Sequence, residues 1–546
     1  MAPFPPIVAP LAVASGMALH LLYFNRGEHH MYGIRYMQVF VTTFLVAVAT
    51  LTVAYDVALK SSLAIVSLCT GYVSVGLFSS LLCYRLFWHP LRGFPGPLGA
   101  RISSLWLTLQ NTKAENHRVC LDLYNRYGPF VRIGSSELMI VHPKAVPAIY
   151  GAQSACSKAA FYDEDYPRES IHMTRNAKLH HERRRIWSQA FSDRALRGYE
   201  SHISTYNAAL VSRLAEFKGA PANAPRWFNY YSFDVMGDLA FGRDFGMLSS
   251  GQQHWAIALL DEAFVIQGLK LPVWVFRMLT AVPGLTAKYW SFIEYCNRQL
   301  TAKIADERRN GAEGRDRDDL MSLLIAHADA HPSEKEQLVL HSESRTAIVA
   351  GSDTTAATLS HIFYYLARYP EHTERLRREL SPLTDDGRSF EYLRIQSAEH
   401  LNGVINEALR LCPVLPTMLP RKTPPEGIHI DGTFVPGNMD VWAPMYVLGR
   451  SEAVYERPEE FIPERWYSQP SLVKDKAGFA PFSLGPYGCI GRPLAQMQIR
   501  TLMAQIVMRF DVEFPPGQDG SKFIENTKDR FTLGLADLDL CFKPRN

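Results

Sequence analysis

The segment PFSLGPYGCIGRPLAQ, residues 481–496, sets one cysteine, Cys489, between Gly488 and Gly491. A thiolate is a strong metal ligand, provided that it is kept deprotonated. Glycine has no Cβ, so Gly488 and Gly491 are expected to let the chain bend tightly and bring backbone N–H groups to the sulfur. The run after Gly491 has the apolar spacing of a buried helix, whose positive N-terminal end favours an anion beside Cys489. The other cysteines (Cys69, Cys83, Cys120, Cys156, Cys296, Cys412 and Cys541) are scattered and form no CxxC pair. Neither a zinc ribbon nor a disulfide framework is expected. A lone cysteine at a helix start is by default a small buried hydrophobe. A single thiolate in such a pocket suits the fifth ligand of a haem iron.

Three more stretches carry chemistry. AIVAGSDTTAATLSHIFYYLARYP, residues 347–370, reads as a long buried helix with a polar cluster inside it. Gly351, Ser352, Asp353, Thr354 and Thr355 are poor interior helix formers. Their hydroxyls can bond back to carbonyls and open or kink the helix. The plainer alternative is a capped helix start at Asp353. NEALRL, residues 406–411, puts Glu407 and Arg410 three apart on one helix face, and PERW supplies Arg465 further on. An exposed ion pair is the plain alternative there, and such pairs are worth little. In KLHHERRRIWSQAFSDRALRGYE, residues 178–200, His180 and Arg184 lie one helical turn apart, within what could be only a solvated basic face.

Phe482-x-x-Gly485-x-x-x-Cys489-x-Gly491 resembles the haem-thiolate signature of the cytochrome P450 monooxygenases. The other stretches follow in that family's order, from about residue 89 to the C-terminus. FWHPLRGFPGP and HERRRIWSQAFSDRALRGYE are similar in style to fungal secondary-metabolite members, particularly tryprostatin-type indole-alkaloid hydroxylases. The resemblance implies that Cys489 ligates the iron of haem b, in a loop marked by Phe482, Gly485 and Gly491. Ala350-Gly351-x-Asp353-Thr354-Thr355 resembles the oxygen-activation motif. On that reading Gly351 makes room over the haem, Thr354 holds dioxygen and a water, and Asp353 delivers protons through solvent. Glu407, Arg410 and Arg465 match a buried structural triad. His180, Arg184 and Arg421 match positions that bind haem propionates. One departure stands out. The family usually has Arg or His two residues before the cysteine, and this chain has Tyr487, which carries no charge.

The same resemblance implies reductive activation of dioxygen, with electrons from NADPH through NADPH-cytochrome P450 reductase. Arg492 and nearby basic residues would meet that partner, and cytochrome b5 is a second candidate. The substrate would be a lipophilic small molecule, with mostly apolar walls from residues 161–172, 346–350, 414–419 and 531–533. Hydroxylation in a fungal secondary-metabolite pathway is the expected reaction. Desaturation, oxidative coupling or rearrangement on the same scaffold is the alternative. A non-catalytic haem- or lipid-binding membrane protein is a further one.

The elements that must position these residues follow from the rest of the chain. With 546 residues and a net charge of +3, there is room for a large core and no basic stripe of the kind that binds nucleic acid. Three apolar runs, residues 7–24, 37–55 and 62–82, are each about long enough to cross a hydrocarbon core. They are apolar all round, which argues against core helices. The first lacks the basic start of a signal peptide. Residues 1–88 are therefore expected to be a membrane anchor of about three spans, with one anchor plus a re-entrant or interfacial hairpin as the rival. Arg26 and Arg35, then Arg85, Arg92 and Arg101, place the first loop and everything after residue 85 in the cytoplasm, as expected for the endoplasmic reticulum. HPLRGFPGPLG, residues 89–99, is a stiff hinge into a catalytic domain, residues 89–546. That domain reads as mainly α with a minor β-sheet, strand-like only at residues 130–133, 138–141, 428–430 and 440–443. Residues 309–319, charged and glycine-bearing, read as an exposed loop.

Overall fold

The computed structural model describes residues 7–310, 319–328, 333–387 and 389–545. Residues 311–318 of the expected exposed loop lie outside them. The chain is mostly helical with several small sheets, as the sequence implied. It divides into two compact units. One comprises residues 1–109, 130–138 and 271–286, and the other residues 110–129, 139–270 and 287–546.

In the first unit, α1 (Val8–Leu19) runs into a π-turn, His20–Phe24. It is followed by α2 (Gly33–Val53) and α3 (Leu59–Cys83), the last extended by a π-turn, Tyr84–Trp88. By length and composition, two of these helices can cross a membrane: Gly33–Val53 and Leu59–Trp88, each with a mean hydropathy of 1.8. The first expected span, residues 7–24, is met by Val8–Phe24, which is apolar but shorter. It packs on α3 through glycines at backbone contact. A Cβ on Gly16 would lie 2.0 Å from the Val73 carbonyl oxygen, and one on Gly76 would lie 2.0 Å from that of Val13. Small residues at a helix crossing are how membrane helices approach without a hydrophobic driving force. At the end of the unit's helical run, buried Arg132 donates to the carbonyls of Arg85, Gly134 and Ser135.

The second unit is built around a long buried helix. Its relevant elements are α4 (Ala177–Ala190), α5 (Ala224–Phe241), α6 (Glu334–Arg368), α7 (Glu399–Leu411) and α8 (Arg492–Arg509). Asn176 caps α4 by accepting from the Leu179 N–H at 3.1 Å. Asn223 caps α5 in the same way, accepting from Arg226. A capping box, Ser333 with Glu336, starts α6, and such a box satisfies two orphan donors at once.

Asp353 does not start a helix: α6 begins 19 residues upstream, at Glu334. The polar cluster does not break α6. Ser352, Thr354, Thr355 and Thr358 each donate to the carbonyl four residues back. α6 packs on α5, and the bare face of Gly351 admits Met236, whose sulfur would sit 2.5 Å from an added Cβ.

Short strands complete the unit. Ser157–Lys158 pairs antiparallel with Arg421–Lys422, which pairs in turn with Asp440–Trp442. Asp539–Pro544 lies between Pro221–Asn223 and Phe510–Glu513. Lys528–Arg530 and Thr532–Gly534 form a tight hairpin. All four expected strands exist, within a residue or so. The two-residue and C-terminal strands carry too little alternation to read from sequence.

Candidate functional site

The Cys489 loop is held by its own backbone. The Cys489 N–H donates to the Phe482 carbonyl at 2.8 Å, and the Gly488 N–H to that of Gly485 at 3.0 Å. The left-handed residues are Ser483 (φ 57°) and Gly485 (φ 62°). Gly488 and Gly491 have ordinary negative φ. The tight bend thus lies upstream of the position expected. A Cβ on Gly485 would meet the Tyr150 carbonyl oxygen at 2.6 Å, so glycine is required there on two counts. Gly491 precedes α8, and the backbone N–H groups of Gly491 and Arg492 bond to the Cys489 sulfur. Arg492 is exposed and lies over the Phe482 ring, 5.6 Å from its centroid.

Cys489 is exposed and borders a cavity of about 400 Å³. Burial pushes its thiol up from the ordinary value. The two N–H groups and the guanidiniums of Arg184 and Arg492 oppose this without overcoming it. A coordinated cation would remove the thiol proton outright.

α6 forms another wall. Ala350, Gly351, Thr354 and Thr355 line the cavity. The Thr354 hydroxyl is bonded to the Ala350 carbonyl at 2.9 Å. Asp353 is not among the lining residues. It turns to the Lys528–Gly534 hairpin, where its carboxylate accepts from the Thr532 hydroxyl at 2.7 Å. Burial pushes its carboxyl up to about 6, against the pull of the Thr532 hydrogen bond. Thr532 does line the cavity. Of the expected wall segment 531–533, Phe531 and Thr532 line it. Next to it, Phe531 has φ 86°, stacks on Phe161 and meets His172 edge-on.

The walls are mostly apolar but end in a polar group that the sequence did not reveal. Glu164 accepts from the Gln267 amide at 3.2 Å. Asp165 pairs with Arg345 at 2.5 Å and also accepts from the Tyr289 hydroxyl. All five residues line the cavity. Burial drives the Glu164 carboxyl up to about 8, opposed by Gln267 and assisted by the Asp165 charge.

The expected propionate residues also converge. His180 meets the Tyr487 ring edge-on, with centroids 4.6 Å apart, and burial lowers its imidazole to about 3. Arg184 donates to the Gly488 carbonyl at 2.7 Å. Arg421 lies 5.1 Å from the Tyr487 ring centroid, donates to the Tyr162 hydroxyl at 2.5 Å, and keeps a buried Nε without a partner. Lys158, which no motif singled out, joins them 5.0 Å from the same ring. These residues fit a haem: a sulfur ligand, apolar walls, and buried cations grouped where anionic carboxylates would satisfy them.

Behind the loop, Glu407 receives five hydrogen bonds. Arg410 gives two, at 2.9 and 2.7 Å, Arg465 one at 3.2 Å, and Trp466 Nε1 and the Ile462 N–H one each at 2.9 Å. The Glu407, Arg410 and Arg465 side chains are fully buried. Arg465 also donates to the carbonyls of Glu456 and Leu472. The triad thus ties α7 to the chain that leads into the cysteine loop, and it does not border the cavity.

A family model described as "Cytochrome P450" matches residues 95–542. The chain is 42% identical to "Cytochrome P450 monooxygenase notG'" of Aspergillus versicolor, over 97% of each chain. It is also 42% identical to "Tryprostatin B 6-hydroxylase" of Aspergillus fumigatus, over 97% of this chain and 95% of that one. With "Cytochrome P450 monooxygenase sthD" of Phaeosphaeria nodorum it shares 45% identity, over 86% of this chain and 99% of that one.

Proposed function

This chain belongs to the cytochrome P450 family, and we propose that it hydroxylates a lipophilic small molecule in a fungal secondary-metabolite pathway. One observation carries the reading: the Cys489 sulfur and the Thr354 turn of α6 border the same cavity. A relative named as a tryprostatin B 6-hydroxylase supports hydroxylation and makes tryprostatin B the first compound to offer the enzyme.

A haem bound through Cys489 supplies reductive activation of dioxygen, one atom entering the substrate and the other leaving as water, with electrons from NADPH through a reductase. The chain does the rest. The Gly491 and Arg492 N–H groups hold negative charge on the Cys489 sulfur. Thr354 offers its hydroxyl at the cavity wall. Asp353 stores a proton out of solvent, at a carboxyl raised to about 6, and Thr532 joins it to the cavity. Phe161 and Phe531 stack to exclude water. Glu164 and Gln267 orient a polar end of the substrate against apolar walls.

On this reading His180, Arg184 and Arg421 bind the cofactor's propionates, and Phe482, Gly485 and Gly491 shape its thiolate loop. Residues 1–88 anchor the protein in the endoplasmic reticulum by more than one span, and residues 89–546 form the catalytic domain facing the cytoplasm. The reductase, with cytochrome b5 as a second donor, docks on the surface where Arg492 is exposed.

The test compares metabolites of the native host carrying the wild-type enzyme or Cys489→Ala. The expected result is a precursor lighter than the normal product by one oxygen. A precursor differing only in hydrogens would redirect the reading to desaturation or coupling. An isomeric precursor would point to rearrangement. An unchanged profile, with the pathway transcribed and the variant folded, would support a non-catalytic protein.

A further inference from the structure

Three side chains outside the haem site converge on one point. His372 stands on the helix Pro370–Leu380, His400 in the first turn of α7, and Glu464 on the turn Pro463–Trp466. One ring nitrogen of each histidine and one Glu464 oxygen all lie within 4.8 Å of one another. The two histidines are buried, at 8% and 2% exposure, and none of the three residues lines the cavity beside Cys489. His400 is only half satisfied. Its Nδ1 lies 2.9 Å from the Tyr467 hydroxyl, while its Nε2 is buried without a hydrogen-bond partner. The His372 carbonyl lies near the ring but lacks the alignment of a hydrogen bond. When Nδ1–H donates to Tyr467, Nε2 presents a lone pair, and this is how outer partners orient a metal-binding imidazole. His372 packs beside it with ring centroids 5.2 Å apart, and Phe461 meets the His372 ring edge-on. Glu464 is held by Arg375 at 2.5 Å, and that arginine's side chain is 45% exposed. It can turn into solvent when a divalent cation takes the carboxylate.

We propose that His372, His400 and Glu464 together bind one zinc ion, which clips three segments of the fold to one another. Two imidazoles and a carboxylate are zinc donors, and a water completes the tetrahedron. Ligand atoms about 2.1 Å from zinc stand about 3.4 Å apart in a tetrahedron, so the cluster closes by about 1.4 Å at most. The ion takes no part in the oxidation, because its ligands do not border the cavity. Its place is structural. α7 also carries Glu407 and Arg410, and the Pro463–Trp466 turn also carries Arg465. The clip therefore adds the helix Pro370–Leu380 to the elements that the buried triad joins. A site assembled only by folding contributes its binding energy to the folded state. The inference stands apart from the haem-thiolate reading.

The experiment titrates purified full-length holoenzyme with Zn²⁺ against a fluorescent zinc indicator. The protein carries no polyhistidine tag and is first freed of zinc by chelator dialysis. Wild type is expected to bind one zinc per haem. His372→Gln, His400→Gln and Glu464→Gln are each expected to weaken binding about 100-fold or more, beyond the loss of an outer partner. Tyr467→Phe removes only the outer partner of His400 and is expected to weaken it about tenfold. Arg375→Met frees the carboxylate and is expected to tighten it by up to about fivefold, the worth of an exposed ion pair. Zinc is also expected to raise the melting temperature of wild type and not that of His372→Gln. Absence of stoichiometric zinc would overturn the proposal. So would zinc that none of these substitutions moves, since the chain has 18 histidines and the binding would then be adventitious. If a histidine variant is not recovered with haem, Glu464→Gln decides: weaker binding supports the site, and wild-type affinity overturns it.

Discussion

The Asp353 carboxylate accepts a hydrogen bond from the Thr532 hydroxyl at 2.7 Å, joining the middle of α6 to a hairpin 179 residues away. Asp353 itself does not border the cavity, while Thr532 does. The acid and the cavity are therefore connected through a residue outside the α6 motif.

This relation predicts a graded loss of coupling. Asp353→Asn should lower the rate of product formation by about 10²-fold, the usual worth of a general acid. Thr532→Val should lower it less and divert NADPH into uncoupled turnover, whereas Thr532→Ser keeps the hydroxyl and should stay near wild type. Because the Asp353 carboxyl is raised to about 6, its acid form declines as pH rises through that value. The coupled rate should fall over the same range, and that limb should vanish in Asp353→Asn. A pH profile shared by wild type and Asp353→Asn would contradict the relay.

The Glu407 triad makes a prediction about stability alone. Glu407→Gln leaves Arg410 and Arg465 buried with no counter-charge and should cost about 3–5 kcal/mol. Denaturant unfolding of the holoenzyme measures this. A change below about 1 kcal/mol, as for an exposed pair, would contradict a buried structural role.

Glu164 should make itself felt through pH. Its folded carboxyl is raised to about 8, above the unfolded value, so the folded state binds more protons and this contribution to stability falls as pH rises through that window. Glu164→Gln removes the effect. The variant should gain on wild type from about pH 5 upward and level off above about 8. Thermal melts across that range test it, and a constant offset between the two proteins would contradict it.

The anchor reading predicts which loops face the lumen. A spacer-borne Asn-X-Ser acceptor inserted after Ala54, between α2 and α3, should be glycosylated in microsomes, and one inserted after Gly27, between the α1 π-turn and α2, should not. The reverse pattern would invert the orientation. Glycosylation at neither site would favour an interfacial hairpin.

Much of the site was legible because its chemistry is local in sequence. Phe482, Gly485 and Cys489 sit on one loop, and Glu407 and Arg410 on one helical turn, so spacing alone groups them. Arg465, His180, Arg184 and Arg421 were reached only through the family resemblance. Lys158 escaped because a two-residue strand has no periodicity, and only the fold lays it across from Arg421. Glu164, Gln267, Asp165, Tyr289 and Arg345 come from four separate segments, and only tertiary packing makes one polar group of them. Gly351 does line the cavity, but its contact with Met236 joins two helices far apart in sequence and is not legible from the motif. Local strain was misplaced, since the left-handed residues of the cysteine loop are Ser483 and Gly485 and no spacing argument distinguishes them from Gly488.

The central claim is that Cys489 is a thiolate ligand to haem iron. The most direct measurement is the spectrum of the reduced, CO-bound enzyme, for wild type and Cys489→His at matched haem content. The account predicts the far red-shifted Soret band of a thiolate-ligated haem in wild type, and its replacement by the shorter-wavelength band of imidazole ligation in the variant. A wild-type band already at the imidazole position, or an unshifted red band in Cys489→His, would contradict it.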